Sequence, residues 1–311
     1  MLQHFAAPRL SAVQNFFRTN SDADLLGAYS WNQAVASALL PILGDFEVAL
    51  RNALHSALSQ YYGGVDSFNW MMPRPNPANP GGQPVQAHHK MKPTTKIDIQ
   101  NTIGKVKAKK PASYIVTPDD VVASVTFGFW EQLINSLAHP SHPAGLQGSI
   151  LSRVFPYAPD LAVVPHSAPA FKNRTVKLLT RIRDIRNRIG HHDSIWASPE
   201  FDLHGAVGFS PRRPRHTIIS LSLAASRICW FASWLSPNIS RHIQASDHWH
   251  SLHLLLDRHA LAAYRSTGGA IGTYEKVLSS RPIRPVLRKS ARRINQRPAY
   301  KQRLEMAQFH F

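Results

Sequence analysis

The stretch Leu178-Leu179-Thr180-Arg181-Ile182-Arg183-Asp184-Ile185-Arg186-Asn187-Arg188-Ile189-Gly190-His191-His192 decides the fold of this chain. Leu178, Ile182, Ile185 and Ile189 recur at intervals of four, three and four, the period of a helix face packed on a core. The spacing predicts a helix over about 171–191, ending near Gly190. At ~100° per residue, Arg186 falls beside the apolar stripe, so it must be paired or serve a binding surface. Asn187 and His191 are four apart and share a face, so Asn187 can hydrogen-bond the imidazole and orient it. Arg186 and His191 are ~140° apart around an ideal helix. Only the long Arg side chain, or a second subunit, brings both to one phosphate.

Outward from this helix the pattern stays helical. Leu39, Leu43, Phe46, Leu50, Ala53, Ala57 and Tyr61 form one stripe over about 31–62, with Pro41 as a start or bend and Gly63-Gly64 as the stop. Thr117-Pro118-Asp119-Asp120 reads as a capped helix start that leads through Val121, Val125, Phe129 and Leu133 to Leu137. Further helices are expected at about 216–235 and 246–264. Sustained strand alternation is missing from the sequence, so the fold class is all-α. The segment 72–110 reads as an insertion, first Pro-rich and then Lys-rich. Its lysines either form a solvated basic face or contact phosphate. Residues 1–265 are expected to form the helical domain, and 266–311 a basic, flexible tail.

The composition points to a polyanion. Of 311 residues, 36 are Lys or Arg and 18 are Asp or Glu, a net charge of +18. Such a balance favours phosphate-rich partners, because neutralising phosphates releases their counterions. Cys229 is the single cysteine, which excludes an intrachain disulfide and two-Cys zinc motifs. His88-His89 and His248-Trp249-His250 lack Cys or acidic partners at ligand spacing, so no metal or other cofactor is expected. The start of the chain shows no basic and apolar leader pattern. Residues 217–235 are apolar but carry Arg227, which is costly inside a bilayer. A core helix, no stable membrane insertion and a cytoplasmic setting are therefore expected.

An Arg and a His suffice for one reaction. His can take the 2′-hydroxyl proton of RNA or protonate the leaving oxygen, and Arg can neutralise the phosphorane. The product would be a 2′,3′-cyclic phosphate. The segment Ile182–Asp193 resembles the Arg-polar-x(3)-His signature of HEPN ribonucleases. It is similar in particular to the Abi-like abortive-infection family, in which Arg-Asn-x-x-Ala-His-His is usual. Here Gly190 stands in place of the Ala. Trp31-Asn32 with Phe46–His55 resembles the family's N-terminal helix, and Val121–Trp130 its middle segment.

That resemblance implies a dimeric helical bundle of the HEPN type whose two subunits line one RNA cleft. It implies a metal-independent endoribonuclease acting as a toxin or phage-defence effector, with Arg186 and His191 catalytic and Asn187 supporting. A neutralising antitoxin is a possible partner. His192 could serve as the base in another register, although Asn187 favours His191. Glu47 and Arg51, with His55, are spaced for an intrahelical ion pair. Alternatively, Glu47 could hold the Arg186 guanidinium. The rival reading is a non-catalytic RNA-binding or regulatory protein of the same fold.

Overall fold

In the computed structural model, residues 2–64, 67, 70–71, 93–270 and 272–279 are described. They hold twelve α-helices and no strand, only the isolated bridge Phe201–Val207. In chain order these are α1 (Ala7–Phe17), α2 (Asp22–Tyr62), α3 (Pro93–Ala108), α4 (Pro118–Ser124), α5 (Phe127–Ser136) and α6 (Leu146–Val154). They continue as α7 (Pro169–Gly190), α8 (Pro214–Leu235), α9 (Pro237–Ala245), α10 (Asp247–Leu255), α11 (Arg258–Thr267) and α12 (Thr273–Ser279). The chain divides into two compact units. One comprises Met1–Phe46, Asp184–Ser233 and Pro237–Phe311; the other comprises Glu47–Arg183 and Trp234–Ser236. The division falls inside α2 and α7, so each of these helices serves both units.

The first unit is built on aromatic side chains. Phe17 meets Trp31 and Trp196 edge-on at 6.0 and 5.7 Å, and Phe46 meets Phe231 at 5.3 Å. The buried Trp31 ring donates Nε1–H to the Leu255 carbonyl, 2.8 Å away. Gly27 lets the backbone of α2 touch that of α11, since a Cβ there would lie 2.1 Å from the Tyr264 carbonyl oxygen. Beside this crossing, Arg265 donates from Nη2 to Asp24 Oδ2 at 2.8 Å and also pairs through Nε. The Arg265 guanidinium holds the Asp24 carboxyl below its ordinary range.

The second unit packs Phe155, Phe171 and Trp234 together, with Arg174 stacked over the Trp234 ring at 4.8 Å. Trp70 packs on Phe129 and Trp130 and donates to His55 Nδ1 at 3.0 Å. The α3 helix buries Thr95, Ile99, Thr102 and Val106, a stripe at helical spacing, and leaves Lys96, Lys105 and Lys107 exposed. Lys109 and Lys110 follow in solvent.

Several boundaries differ from the sequence reading. The α2 helix starts at Asp22 and runs through Pro41, whose missing N–H leaves the Ser37 carbonyl at an exposed position. The Lys-rich half of the expected insertion is helical, because it has its own apolar stripe. The helix expected from Thr117 to Leu137 is two helices. Thr117 and Asp120 form a reciprocal capping box for α4, and extended backbone at Val125 and Thr126 separates α5. The expected helix 246–264 is likewise divided, as Asp257 caps α11 by accepting from the His259 N–H at 2.7 Å. Residues 273–279, which the sequence places in the tail, form α12 with Thr273 and Val277 buried. His88-His89, the Pro-rich part of 72–92 and the basic run 281–311 lie outside the described residues.

Two helices, α2 and α8, are long and apolar enough to cross a membrane by length and composition. In α8 the apolar surface is used inside the fold, where Leu221, Ala225, Ile228, Phe231 and Ala232 are buried. Arg227, midway along α8, is also buried and donates to the Phe201 carbonyl at 3.3 Å.

Candidate functional site

All four residues of the expected stripe in α7, Leu178, Ile182, Ile185 and Ile189, are buried. This packing sets the rotation of the helix and therefore the direction of everything beside the stripe. Arg186 and Asn187 are half-buried at its margin; His191 and His192 are exposed just past the last helical residue. These four belong to the first unit, whereas Glu47 and Arg51 belong to the second. Arg51 donates to the Ala123 carbonyl at 3.4 Å.

The end of α7 has a defined geometry. The His192 N–H bonds to the Ile189 carbonyl at 3.0 Å, and the Asp193 N–H bonds to the Arg188 carbonyl at 2.7 Å. His192 sits at φ +52°, in the left-handed region. This is the paired-bond Schellman stop, with His192 where glycine is usual. His is among the few non-glycine residues that enter this region with some frequency. The stop turns the chain away from the helix axis immediately after His191.

Asn187 meets His191 through the backbone, not the side chain. The His191 N–H bonds to the Asn187 carbonyl at 2.9 Å, which continues the helical spiral by one residue. Among the described residues, neither ring nitrogen of His191 or His192 has a protein hydrogen-bond partner. The side-chain bond expected from Asn187 to the ring is therefore not made, because His191 is the capping residue and its imidazole stands in solvent.

The loop that follows is tied down by Arg188. Its guanidinium donates to the Ser194 carbonyl at 3.1 Å and lies 3.7 Å from Asp193 Oδ2. Ser194 Oγ donates to Asp193 Oδ1 at 3.0 Å. The Ser194 backbone N–H is the main influence holding the Asp193 carboxyl below its ordinary range, with Arg188 and Arg9 adding to it. Arg188 is thus a structural residue of the stop. Among the described residues no group of three or more His, Cys, Asp or Glu is placed to hold a metal ion. His248 and His250 are exposed on α10.

The sequence reading passed over Glu131. Its carboxylate is buried on α5 in the second unit, 2.7 Å from Arg183 Nη1, and accepts from Thr180 Oγ1 at 3.1 Å. The two partners lie about one turn apart on α7, but Glu131 is distant in sequence, so no local pattern announces it.

The Abi-like protein family matches residues 2–197, which ends just beyond the α7 stop and its following turn. No curated protein and no solved structure matches the chain. With the match covering well over half of its length, the chain belongs to the Abi-like protein family.

Proposed function

We propose that this Abi-like protein is a metal-independent endoribonuclease of the HEPN type in which Arg186 and His191 cleave RNA by attack of the 2′-hydroxyl. Family membership supports a role in abortive infection or phage defence. The observation that carries the reading is the placement of the His191 imidazole. It stands in solvent at a rigid helix stop, within the matched segment and five residues from Arg186. An imidazole facing solvent can take a proton from a substrate hydroxyl and return one. The Arg186 guanidinium offers a planar fork to the phosphate oxygens as charge develops.

In this reading, His191 removes the 2′-hydroxyl proton of one nucleotide. The freed oxygen attacks the adjacent phosphorus, the 5′-oxygen leaves with a proton, and a 2′,3′-cyclic phosphate remains. The ~140° between Arg186 and His191 on one helix favours a homodimer in which two copies of the α7 end face one RNA strand. Asn187 and His192 support the site, and RNA is the partner. A cytoplasmic setting without stable membrane insertion, and control by an antitoxin, belong to the same reading.

The test uses purified wild type beside Arg186→Ala and His191→Ala on one RNA with chelator present. Both substitutions should slow cleavage by at least about 10² and leave the fold intact. Equal cleavage by all three proteins would remove the site assignment. Loss of wild-type activity on chelation would remove the metal-independent mechanism. Salt-dependent RNA binding with no product from the wild type would favour the non-catalytic RNA-binding alternative.

A further inference from the structure

The segment after the family match builds a surface that the catalytic reading does not use. Residues 200–209 form a tight hairpin. The Glu200 N–H bonds to the Phe209 carbonyl at 2.8 Å, the Gly208 N–H to the Glu200 carbonyl at 2.7 Å, and the Asp202 N–H to the Ala206 carbonyl at 3.0 Å. Asp202 Oδ1 accepts from the N–H groups of His204 and Ala206 and closes the tip.

The base of this hairpin is fixed to α8 by buried polar groups. Ser220 Oγ donates to Glu200 Oε1 at 3.0 Å, and Arg227 donates to the Phe201 carbonyl. Glu200 and Arg227 are only 3% and 4% exposed. Burying such groups is costly, and what they hold is the hairpin. The same first turn of α8 is tied to the turn that follows the α7 stop, since Thr217 Oγ1 donates to the Trp196 carbonyl at 2.9 Å.

The rigid hairpin presents apolar side chains to solvent, with Val207 55% and Phe209 43% exposed. His216 meets the Phe209 ring edge-on at 5.1 Å and holds its plane. Directly after the hairpin come Arg212, Arg213 and Arg215, all exposed, at the positive end of α8. Among the described residues, none of the three has a carboxylate partner. The Arg212 backbone N–H points to His216 Nδ1 at 3.4 Å, and Arg215 Nε lies 3.3 Å from His216 Nε2.

A fixed aromatic face beside three exposed guanidinium groups without a carboxylate partner among the described residues has one close chemical match. Single-stranded nucleic acid supplies bases that stack on an aromatic ring and phosphates that suit the arginine fork. An acidic peptide would use the charges but gains nothing from a planar ring held edge-on by His216. We propose that Phe209 with Arg212, Arg213 and Arg215 forms a platform that grips single-stranded RNA next to the segment carrying His191. The platform deepens the ribonuclease reading and rests on it for the identity of the polyanion. Its residues position the strand and take no part in bond breaking.

The experiment uses the full chain carrying His191→Ala, with a labelled oligouridylate of about twelve nucleotides, long enough to cover one such site. Binding is measured over a range of salt. Replacing Arg212, Arg213 and Arg215 with Ala should reduce the slope of log K against log salt by about 2, from three phosphates at ~0.7 each. Replacing all three with Lys should keep the slope. Phe209→Ala should weaken binding about tenfold with the slope unchanged, and a duplex of equal length should not feel that substitution.

With His191 intact, the triple Ala variant should raise KM and leave the saturated single-turnover rate unchanged. An unchanged slope in the triple variant, no loss from Phe209→Ala, or no RNA binding by the parent would each overturn the platform. Loss of binding to phosphatidylserine vesicles with RNA binding retained would mark a membrane surface and overturn it too. The two readings separate cleanly. Cleavage that survives Arg186→Ala and His191→Ala removes the catalytic pair but leaves a reduced salt slope standing, and the reverse pattern removes only the platform.

Discussion

The packed length of α7 and its C-terminal end carry similar residues and use them in opposite ways. Along the packed length, Arg174 is buried against Trp234 with Asp160 3.8 Å away, and Arg183 pairs with the buried Glu131, which also accepts from Thr180. Those charges hold helices together. At the far end, His191 and His192 stand in solvent on the helix stop, and Arg188 is committed to the following loop. The difference is set by the apolar stripe and by where it ends. Polar groups flanked by a packed stripe must find protein partners or cost stability, whereas groups at its end remain available to a ligand.

If that contrast is right, substitutions should divide into those that reduce activity and those that reduce stability. The largest effect belongs to the exposed end: His191→Ala should slow RNA cleavage by about 10²–10⁴. The same variant should shift unfolding by no more than about 0.5 kcal/mol, as surface changes do. Denaturant unfolding beside single-turnover cleavage checks both numbers. A strongly destabilised His191→Ala protein would break the contrast at its first point.

Next comes Glu131→Ala, which removes the buried carboxylate facing Arg183 and Thr180. It should cost about 3 kcal/mol by denaturant unfolding, the low end for breaking a buried pair because Arg183 is 28% exposed. Any cleavage that remains should scale with the folded fraction. A Glu131→Ala protein that is fully folded yet inactive would move Glu131 from scaffold to site.

The stop itself gives a smaller and opposite effect. His192 pays for a left-handed backbone, roughly 1–2 kcal/mol, against an entropic penalty of roughly 0.5–1 kcal/mol for glycine at the same position. His192→Gly should therefore stabilise the protein by about 0.5–1 kcal/mol, read as a higher midpoint in urea. Cleavage by this variant also decides the register. Retained activity assigns the base to His191, and lost activity with raised stability assigns it to His192.

The smallest effect is acid-dependent. The Asp193 carboxyl is held below its ordinary value of 3.8, mainly by the Ser194 N–H. A depressed folded value means that its contribution is complete above the unfolded value and disappears as pH falls through the folded one. Thermal melts of wild type and Asp193→Asn should therefore differ near neutral pH and converge as the pH falls below the ordinary carboxyl value of 3.8. A gap that persists in acid would show that Asp193 acts by packing rather than charge.

How far the sequence reaches depends on how local the cause is. The stripe from Leu178 to Ile189, the Thr117 cap and the Gly190 stop come from neighbours within a turn or two, and each is present. Gly27 hides the true start of α2, because a glycine in a helical pattern reads as a weak point. It is there because the α11 backbone passes against it, a contact more than two hundred residues away in sequence. Glu131 is silent for the same reason. The platform after residue 200 is also distant work, since the buried Glu200 and Arg227 that hold it find their partners only once α8 folds against the hairpin. Around the α7 stop, the position of Arg186 beside the stripe and of His191 at the helix end was legible, but not the left-handed backbone of His192 that aims the chain.

The most direct test of the Arg186–His191 mechanism is the chemistry of the cut end. Wild-type protein with chelator should leave 2′,3′-cyclic phosphate termini on RNA and should not cut where the nucleotide 5′ to the bond is 2′-deoxy, and His191→Ala should form those termini at least about 10² more slowly. Termini bearing a 3′-hydroxyl, or cutting at the 2′-deoxy position, would contradict it.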